Sequence, residues 1–158
     1  MASDSPLHPH LQDLGATFLP WGPPEAAVPI VESFGEVALE YAAIRKSALL
    51  LDLPHRATIE LRGADRLDFL ERMLTQKVKD ISPLSARRSF WLNRKGRIDA
   101  DLRLIALPDT LLLDVDVHAA AKTIATLTDF VFSEDVTFDD RSASLHRLAL
   151  HGPSAGAI

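Results

Sequence analysis

Cysteine is absent from this sequence of 158 residues. Without a thiol, the chain cannot form a disulfide, ligate an iron–sulfur cluster, build a thiolate zinc site or use a cysteine nucleophile. Apolar runs are also short, since no stretch approaches the roughly 18 residues of a membrane span. The N-terminus lacks the basic flank and apolar core of a secretory signal. We therefore expect a cytoplasmic protein with no membrane-spanning segment.

Recognisable catalytic and phosphate-binding motifs are missing as well. The sequence has neither a Walker A loop nor a dinucleotide-binding fingerprint, and no Ser-His-Asp set can be assigned. Its downstream histidines lack metal-ligand spacing. The net charge of −5 argues against a generally basic nucleic-acid binder, although a local basic patch is compatible with it. The residues alone therefore assign no catalytic group and no metal ligand.

The amino-acid composition is that of a globular protein, but the N-terminal segment differs from the rest of the chain. Hydrophobic residues make up 47% and charged residues 25%, which favours one domain, and that domain could be incomplete. Residues 1–32 hold six of the ten prolines and show no apolar periodicity. They predict a poorly ordered, Pro-rich lead with one short extended piece at Val28–Val31. Order is predicted to begin at Ser33, because Ser33–Glu36 fits a capping box.

After Ser33, the spacing of apolar residues predicts a series of helices and strands along the chain. The three central strands are joined by turns too short for parallel crossovers, so they are predicted to be antiparallel. The fold class is therefore α+β, with helices packed on an antiparallel sheet. The predicted elements are a helix with the stripe Val37, Tyr41, Ile44 and Ala48, a strand at Ala57–Leu61, a helix at Ala64–Thr75, central strands at Ser89–Leu92, Ile98–Ala106 and Leu111–Val117, a helix along Val117–Val131, and short strands at Val136–Phe138 and Leu145–Leu150.

Aspartates line one face of two of these central strands. In Ile98–Ile105 every second residue is apolar, which leaves Asp99, Asp101 and Arg103 on the other face. Matching the apolar faces predicts a register with Arg103 opposite Asp114 and Asp101 opposite Asp116. This face is either the hydrated side of a sheet or a ligand platform. Two carboxylates across a ladder repel one another unless a cation or a ligand donor lies between them.

Cations are concentrated around the same strands. They could simply belong to a solvated turn, or they could bind either the anionic tail of a small molecule or RNA phosphate. No recognised RNA-binding signature accompanies them. The six cations are Arg87, Arg88, Arg94, Lys95, Arg97 and Arg103.

A series of motifs carries a family resemblance. The stretches are Glu40–Arg45, Leu51–Arg56, Gly63–Thr75, Leu92–Arg103 and Leu148–Pro153. In this order and spacing, the chain resembles the first part of the folate-binding domain shared by the glycine-cleavage T-protein (aminomethyltransferase) and the YgfZ-type folate-binding proteins. The resemblance covers nearly all of the chain that is predicted to be ordered.

Details of the central motif favour the YgfZ branch. The sequence Lys95-Gly96-Arg97 followed by Ala100–Arg103 resembles the motif of the YgfZ branch, whereas aminomethyltransferases usually show a Gly-Gly pair and a double aspartate at these positions. Asp101 matches the aspartate that faces the reactive nitrogens of tetrahydrofolate in the transferases. Arg88 stands where those enzymes tend to carry a folate-contacting tyrosine, and Arg56 where they carry a methionine. These departures count against aminomethyl transfer.

The resemblance implies a tetrahydrofolate site in a cloverleaf of domains. A carboxylate such as Asp101 would orient a folate nitrogen or accept its proton. The ligand's anionic glutamate tail suits Arg88, Arg94 or Arg97. The folate-binding residues that follow from the resemblance are Asp101, Arg88, Arg56 and Arg103.

The leading hypothesis is a tetrahydrofolate-binding module of the YgfZ type, which the resemblance links to iron–sulfur cluster assembly and maintenance and to tRNA modification. The alternatives are an aminomethyltransferase fragment with one-carbon transfer activity and a ligand-free interaction domain. Family members are much longer, so residues 33–158 are expected to be the N-terminal part of the domain, with its second half missing. Because Leu145–Leu150 would then lack strand partners, we expect either a separately encoded second half or a homodimer partner.

Overall fold

The computed structural model describes residues 5–157, which divide into two units. One unit comprises the chain up to His55 together with the chain from His146, and the other is Arg56–Leu145. The helices are α1 (His8–Asp13), α2 (Val37–Lys46), α3 (Arg66–Met73) and α4 (Ala120–Thr128). The strands are β1 (Thr17–Trp21), β2 (Val28–Ser33), β3 (Leu49–Asp52), β4 (Arg56–Arg62), β5 (Ala86–Leu92), β6 (Ile98–Ala106), β7 (Leu111–Asp116), β8 (Thr137–Asp140) and β9 (Leu148–His151).

The unit Arg56–Leu145 contains a five-stranded sheet in the order β5-β6-β7-β4-β8, and every neighbouring pair is antiparallel. The three central strands are consecutive in the chain, as their short turns predicted. The turn between β5 and β6 is closed by a hydrogen bond from the Gly96 N–H to the Asn93 carbonyl, and Gly96 has a φ of 72°. The α+β prediction with an antiparallel sheet is confirmed.

The core of this unit lies on one face of the sheet. Alternate residues of β4, β6 and β7 are buried there, and α3 and α4 cover them with Phe69, Leu70 and Leu127. Of the two neighbouring aromatic residues in β5, Trp91 points into this core, whereas Phe90 alternates to the opposite face. This alternation leaves Arg88, Asp101 and Arg103 on the face opposite the core, whereas Asp99, at the register shift, forms an ion pair with Lys122 of α4 at 3.0 Å.

The other unit holds two two-stranded antiparallel sheets, β1–β2 and β3–β9, together with α1 and α2. It differs from the predicted poorly ordered lead, because residues 8–33 form a helix and a strand pair. The prolines are compatible with this pair: Pro20 lies opposite Pro29, and a strand with a free edge tolerates a residue that has no N–H to donate. Residues 1–4 of that lead lie outside the described chain.

Several local predictions are corrected by the structure. The capping box is wrong: α2 begins at Val37, and the Glu40 carboxylate, not Glu36, accepts the Phe34 N–H at 2.8 Å. Ile98 is exposed instead of buried, since a register shift between Trp91 and Leu92 disturbs the alternation at this end of the ladder. Among residues 5–157, no helix has the length and apolar composition needed to cross a membrane.

Candidate functional site

The four residues predicted to bind folate come together on one face of the five-stranded sheet. In the ladder, Arg88 of β5 lies opposite Arg103 of β6, which lies opposite Asp114 of β7. Asp101 is two residues from Arg103 and therefore on the same face. Arg56 of β4 lies opposite Asp116, two residues from Asp114, so it shares this face too. We call this set, Arg56, Arg88, Asp101, Arg103 and Asp114, the charged face.

The predicted register is confirmed where the ladder reaches it. Arg103 is paired with Asp114, as the matching of apolar faces required. The second predicted pair, Asp101 with Asp116, stays a prediction: the β6–β7 ladder ends at Arg103, and on the other edge of β7 Asp116 is the ladder partner of Arg56.

Asp101 is held by a bidentate ion pair with Arg88. The Arg88 Nε donates to Asp101 Oδ1 at 2.9 Å, and a terminal nitrogen donates to Oδ2 at 2.5 Å. Both side chains remain open to solvent, 65% exposed for Arg88 and 46% for Asp101. The hydrogen bond from Arg88 lowers the pKa of Asp101, with help from its charge and those of Arg56 and Arg103, against the opposing effect of burial. Asp101 is therefore ionised at neutral pH.

A second ion pair is buried beside the first. The Arg56 Nε donates to Asp114 Oδ1 at 2.9 Å, and its terminal nitrogen donates to the Asp114 carbonyl at 2.9 Å. The Asp114 side chain is 7% exposed and the Arg56 side chain 23%. A buried carboxylate needs such a partner, so this pair anchors the charged face. Asp114 was predicted to lie on the hydrated face, but alternation alone gave no sign that it would be buried.

Arg103 differs from the other two arginines of the charged face. It is exposed, and among residues 5–157 no carboxylate oxygen lies within ion-pair distance of it, although its charge acts on Asp101. Its ladder neighbour Asp114 is bound by Arg56 instead. Arg103 is therefore the cation of this face that can receive an anionic group without giving up an ion pair.

The turn between β5 and β6 carries further cations. Arg94, Lys95 and Arg97 are all exposed, and none forms an ion pair with a described residue. The turn is well defined, since the Asn93 side-chain oxygen accepts the N–H groups of Lys95 at 3.0 Å and Arg97 at 3.1 Å. The predicted anion-binding arginines of this turn are thus displayed to solvent on a hydrogen-bonded loop.

Another polar cluster lies in the other unit and had not been predicted. The His146 ring nitrogen Nε2 contacts both the Asp52 carboxylate and the Ser5 hydroxyl, the latter at 3.3 Å. Both contacts use the same ring nitrogen, so this is not the relay in which a histidine bridges an acid and a nucleophile through two nitrogens. Among the described residues, no three His, Asp or Glu side chains form a group that could hold a metal ion.

Comparison with known proteins gives consistent matches. Aminomethyltransferase from Bacillus velezensis is 29% identical over 159 residues, which cover 100% of this chain and 42% of the relative. Aminomethyltransferase from Corynebacterium aurimucosum is 31% identical over 152 residues, 96% of this chain and 40% of the relative. The crystal structure of glycine cleavage system aminomethyltransferase T from Bartonella henselae matches with a TM-score of 0.85 at 25% identity, over 99% of this chain and 42% of that one.

These matches extend over the whole described fold but over a minor part of each relative. The chain spans about two fifths of the length of the curated relatives it matches. The family description "GCVT N-terminal domain" matches residues 7–158, which include every strand of the five-stranded sheet and the charged face. The chain belongs to the GCVT N-terminal domain family.

Proposed function

We propose that this chain is the tetrahydrofolate-binding first part of an aminomethyltransferase-type protein, with Asp101 accepting the ligand's N–H donors. The observation that carries the proposal is the exposed, ionised carboxylate of Asp101, held in place by Arg88 on the charged face. The chain spans about two fifths of the length of its relatives. One-carbon transfer is therefore proposed for the whole protein of which this chain is the first part.

Asp101 keeps the capacity to bind a ligand although Arg88 holds both of its oxygens. An ionised carboxylate offers about four lone-pair sites on its two oxygens, and Arg88 occupies one on each. The remaining sites are open to solvent, and a pterin offers adjacent N–H donors of the kind that a carboxylate accepts. In this arrangement Arg88 fixes the orientation of Asp101 and keeps it ionised.

Neighbouring groups suit the other parts of a folate. Phe90 lies opposite Asp101 in the ladder and is half-buried, and the Arg88 guanidinium lies over its ring at 5.4 Å from the centroid, so an aromatic ring and a cation flank the carboxylate. Arg103 suits the anionic glutamate tail, since it can bind a carboxylate without losing a partner. Arg56, also predicted to bind folate, would contribute only through the terminal nitrogen that the Asp114 bonds leave unused.

The YgfZ type remains a second candidate because of one motif. The sequence Lys95-Gly96-Arg97 followed by Ala100–Arg103 resembles the motif of the YgfZ branch. The relatives named above, in contrast, are aminomethyltransferases, and they favour one-carbon transfer as the function. The links to iron–sulfur cluster assembly and tRNA modification rest on the motif alone. Methylene transfer from a lipoylated carrier protein to tetrahydrofolate, measured with the whole protein of which this chain is the proposed first part, separates the two candidates.

Ligand-linked stabilisation tests folate binding itself. A ligand that binds only the folded chain stabilises it by about 2.7 kcal/mol at a concentration of 100 times its Kd. Thermal unfolding of the full chain should therefore shift upward with increasing tetrahydrofolate. An unchanged transition at saturating ligand would reject folate binding and leave the ligand-free interaction domain.

A further inference from the structure

Two arginines lie directly opposite each other on the charged face. Arg88 of β5 and Arg103 of β6 are ladder partners, and both are exposed. The Cβ atoms of such partners lie about 4.5–5.5 Å apart, and like charges in this arrangement destabilise a sheet. A negative group between the two guanidinium groups removes the repulsion. The register therefore creates a position that favours an anion, and we call Arg88 and Arg103 the arginine pair.

The carboxylates beside the arginine pair are bound to other groups. Asp101 precedes Arg103 by two residues, and both of its oxygens accept hydrogen bonds from Arg88. Asp114, the ladder partner of Arg103 on its other side, is buried and bound by Arg56. Among residues 5–157, no carboxylate is left to form an ion pair with Arg103.

Arg88 is held in place but still has donors to offer. Its Nε and one terminal nitrogen bind Asp101, and its guanidinium lies 5.4 Å from the centroid of the Phe90 ring. The other terminal nitrogen forms no hydrogen bond within the described chain. An arginine has five N–H donors, so the two bonds to Asp101 leave three of them for a ligand. Arg88 is thus a fixed donor group beside Arg103.

The number of donors favours phosphate over a carboxylate. A carboxylate has two oxygens, which one arginine fork can occupy. A phosphate group has at least three strong acceptor oxygens and a charge of about −1.5 to −2 at neutral pH, so it can bind both guanidinium groups at once. Beyond Arg103 on the same face lie Ile105 and its ladder partner Leu112, both half-buried. They offer an apolar surface to an organic group attached to the phosphate.

We propose that the arginine pair binds a phosphate group, either inorganic phosphate or the phosphate of a small phosphomonoester. The free terminal nitrogen of Arg88 and the guanidinium of Arg103 donate to its oxygens, while Asp101 stays in its ion pair. The site does not rest on the proposed function, because it requires neither a pterin nor the open lone pairs of Asp101. Where tetrahydrofolate binds as well, phosphate competes with its glutamate tail for Arg103.

Isothermal titration of the full chain with sodium phosphate, at neutral pH and constant ionic strength, tests the site. We expect one phosphate per chain, with NMR shifts of the Arg88 and Arg103 Nε–H resonances. Arg103→Gln should weaken binding at least tenfold, because it removes charge-assisted hydrogen bonds. Arg97→Gln removes the same charge from the turn between β5 and β6, where Arg97 is exposed and forms no ion pair with a described residue. It should bind phosphate as the wild type does.

A second titration with phenyl phosphate distinguishes the two sources of the phosphate group. Binding tighter than that of inorganic phosphate indicates a phosphomonoester whose organic group lies over Ile105 and Leu112. Equal or weaker binding indicates inorganic phosphate.

Two outcomes would overturn the proposal. One is the absence of binding of both probes to the wild-type chain, and the other is an equal effect of Arg103→Gln and Arg97→Gln, which would mean that overall charge alone attracts the anion. Circular dichroism shows whether each variant is folded. An unfolded Arg103→Gln is replaced by Arg103→Lys, which keeps the charge but lacks the planar fork and should also bind more weakly. Tetrahydrofolate titration of the wild-type chain without phosphate reports separately on the proposed function.

Discussion

Replacing Asp114 by alanine should destabilise the unit Arg56–Leu145 far more than replacing Asp101. Asp114 is almost fully buried, and Arg56 donates two hydrogen bonds to it, one to the carboxylate and one to the main-chain carbonyl. The alanine variant removes the carboxylate and leaves the Arg56 guanidinium largely buried without its charge partner. The Arg88–Asp101 pair, in contrast, lies open to water.

The difference in burial sets the expected magnitudes. Removing one member of a buried ion pair costs 3–5 kcal/mol in general. Because the Arg56 side chain is 23% exposed, water solvates part of the uncompensated charge, and we expect Asp114→Ala to cost about 3 kcal/mol. Asp101→Ala breaks an exposed pair, so it should cost about 1 kcal/mol or less.

Urea denaturation followed by tryptophan fluorescence provides the assay. The chain has two tryptophans, and Trp91 belongs to the core of the unit Arg56–Leu145, whereas Trp21 lies in the other unit. In a Trp21→Phe background the fluorescence therefore reports on the relevant unit alone. The double variant Arg56→Met with Asp114→Leu is a further control, which should cost less than Asp114→Ala because no charge is left without its partner.

Two results would refute this reasoning. The first is a cost below 1 kcal/mol for Asp114→Ala, which would mean that the charge pair contributes little to the fold. The second is an equal cost for Asp114→Ala and Asp101→Ala, which would mean that burial does not distinguish the two pairs.

Three further substitutions test other features of the structure. Gly63→Ala should lower the free energy of unfolding, measured in urea, more than Gly96→Ala does. Both glycines have positive φ, but an added Cβ at Gly63 would meet the Asp135 carbonyl oxygen at 1.9 Å, whereas one at Gly96 would meet nothing within 4 Å. An equal loss of stability in the two variants would contradict the packing at Gly63. Arg88→Ala should raise the pKa of Asp101 towards its ordinary value, because the Arg88 hydrogen bond is the main cause of its lowering; an unchanged pKa in a carboxyl NMR titration would contradict the bidentate pair. The pKa of Glu134 is lowered from 4.5 to about 2 by hydrogen bonds from main-chain N–H groups, that of Phe132 first, so its contribution to stability is present above pH 4.5 and is lost as the pH falls towards 2. Glu134→Gln should reduce the loss of stability over this window in urea titrations, and a variant that loses as much as the wild type would reject the assignment.

Local sequence patterns predicted the central strands well. The short turns at Asn93–Gly96 and at Pro108-Asp109 required antiparallel neighbours, and the alternation of apolar residues placed Arg103 opposite Asp114. The face of the sheet on which a side chain lies depends only on the alternation of the strand backbone. It could therefore be inferred without any long-range information.

Features that depend on distant parts of the chain could not be predicted in this way. The position of β4 between β7 and β8 brings Arg56 to Asp114, a separation of 58 residues. Arg88 was predicted to precede the strand Ser89–Leu92, and its diagonal pairing with Asp101 depends on β5 beginning at Ala86 and on side-chain reach. The strand β1 was missed, and β2 was predicted only as a short extended piece at Val28–Val31, because the prolines of this segment were taken as a sign of disorder, although a free strand edge accommodates them.

The central claim is that Asp101 receives tetrahydrofolate on the charged face. Isothermal titration of the full chain with tetrahydrofolate, repeated with Asp101→Ala and with Asp109→Ala, tests it most directly. Asp109 is an exposed aspartate in the turn between β6 and β7, so it matches the change in charge without touching the charged face. Losing a hydrogen bond to an ionised group costs about 1.5–3 kcal/mol, so Asp101→Ala should bind at least tenfold more weakly, and Asp109→Ala should bind as the wild type does. Equal affinities for all three chains would contradict the assignment of Asp101.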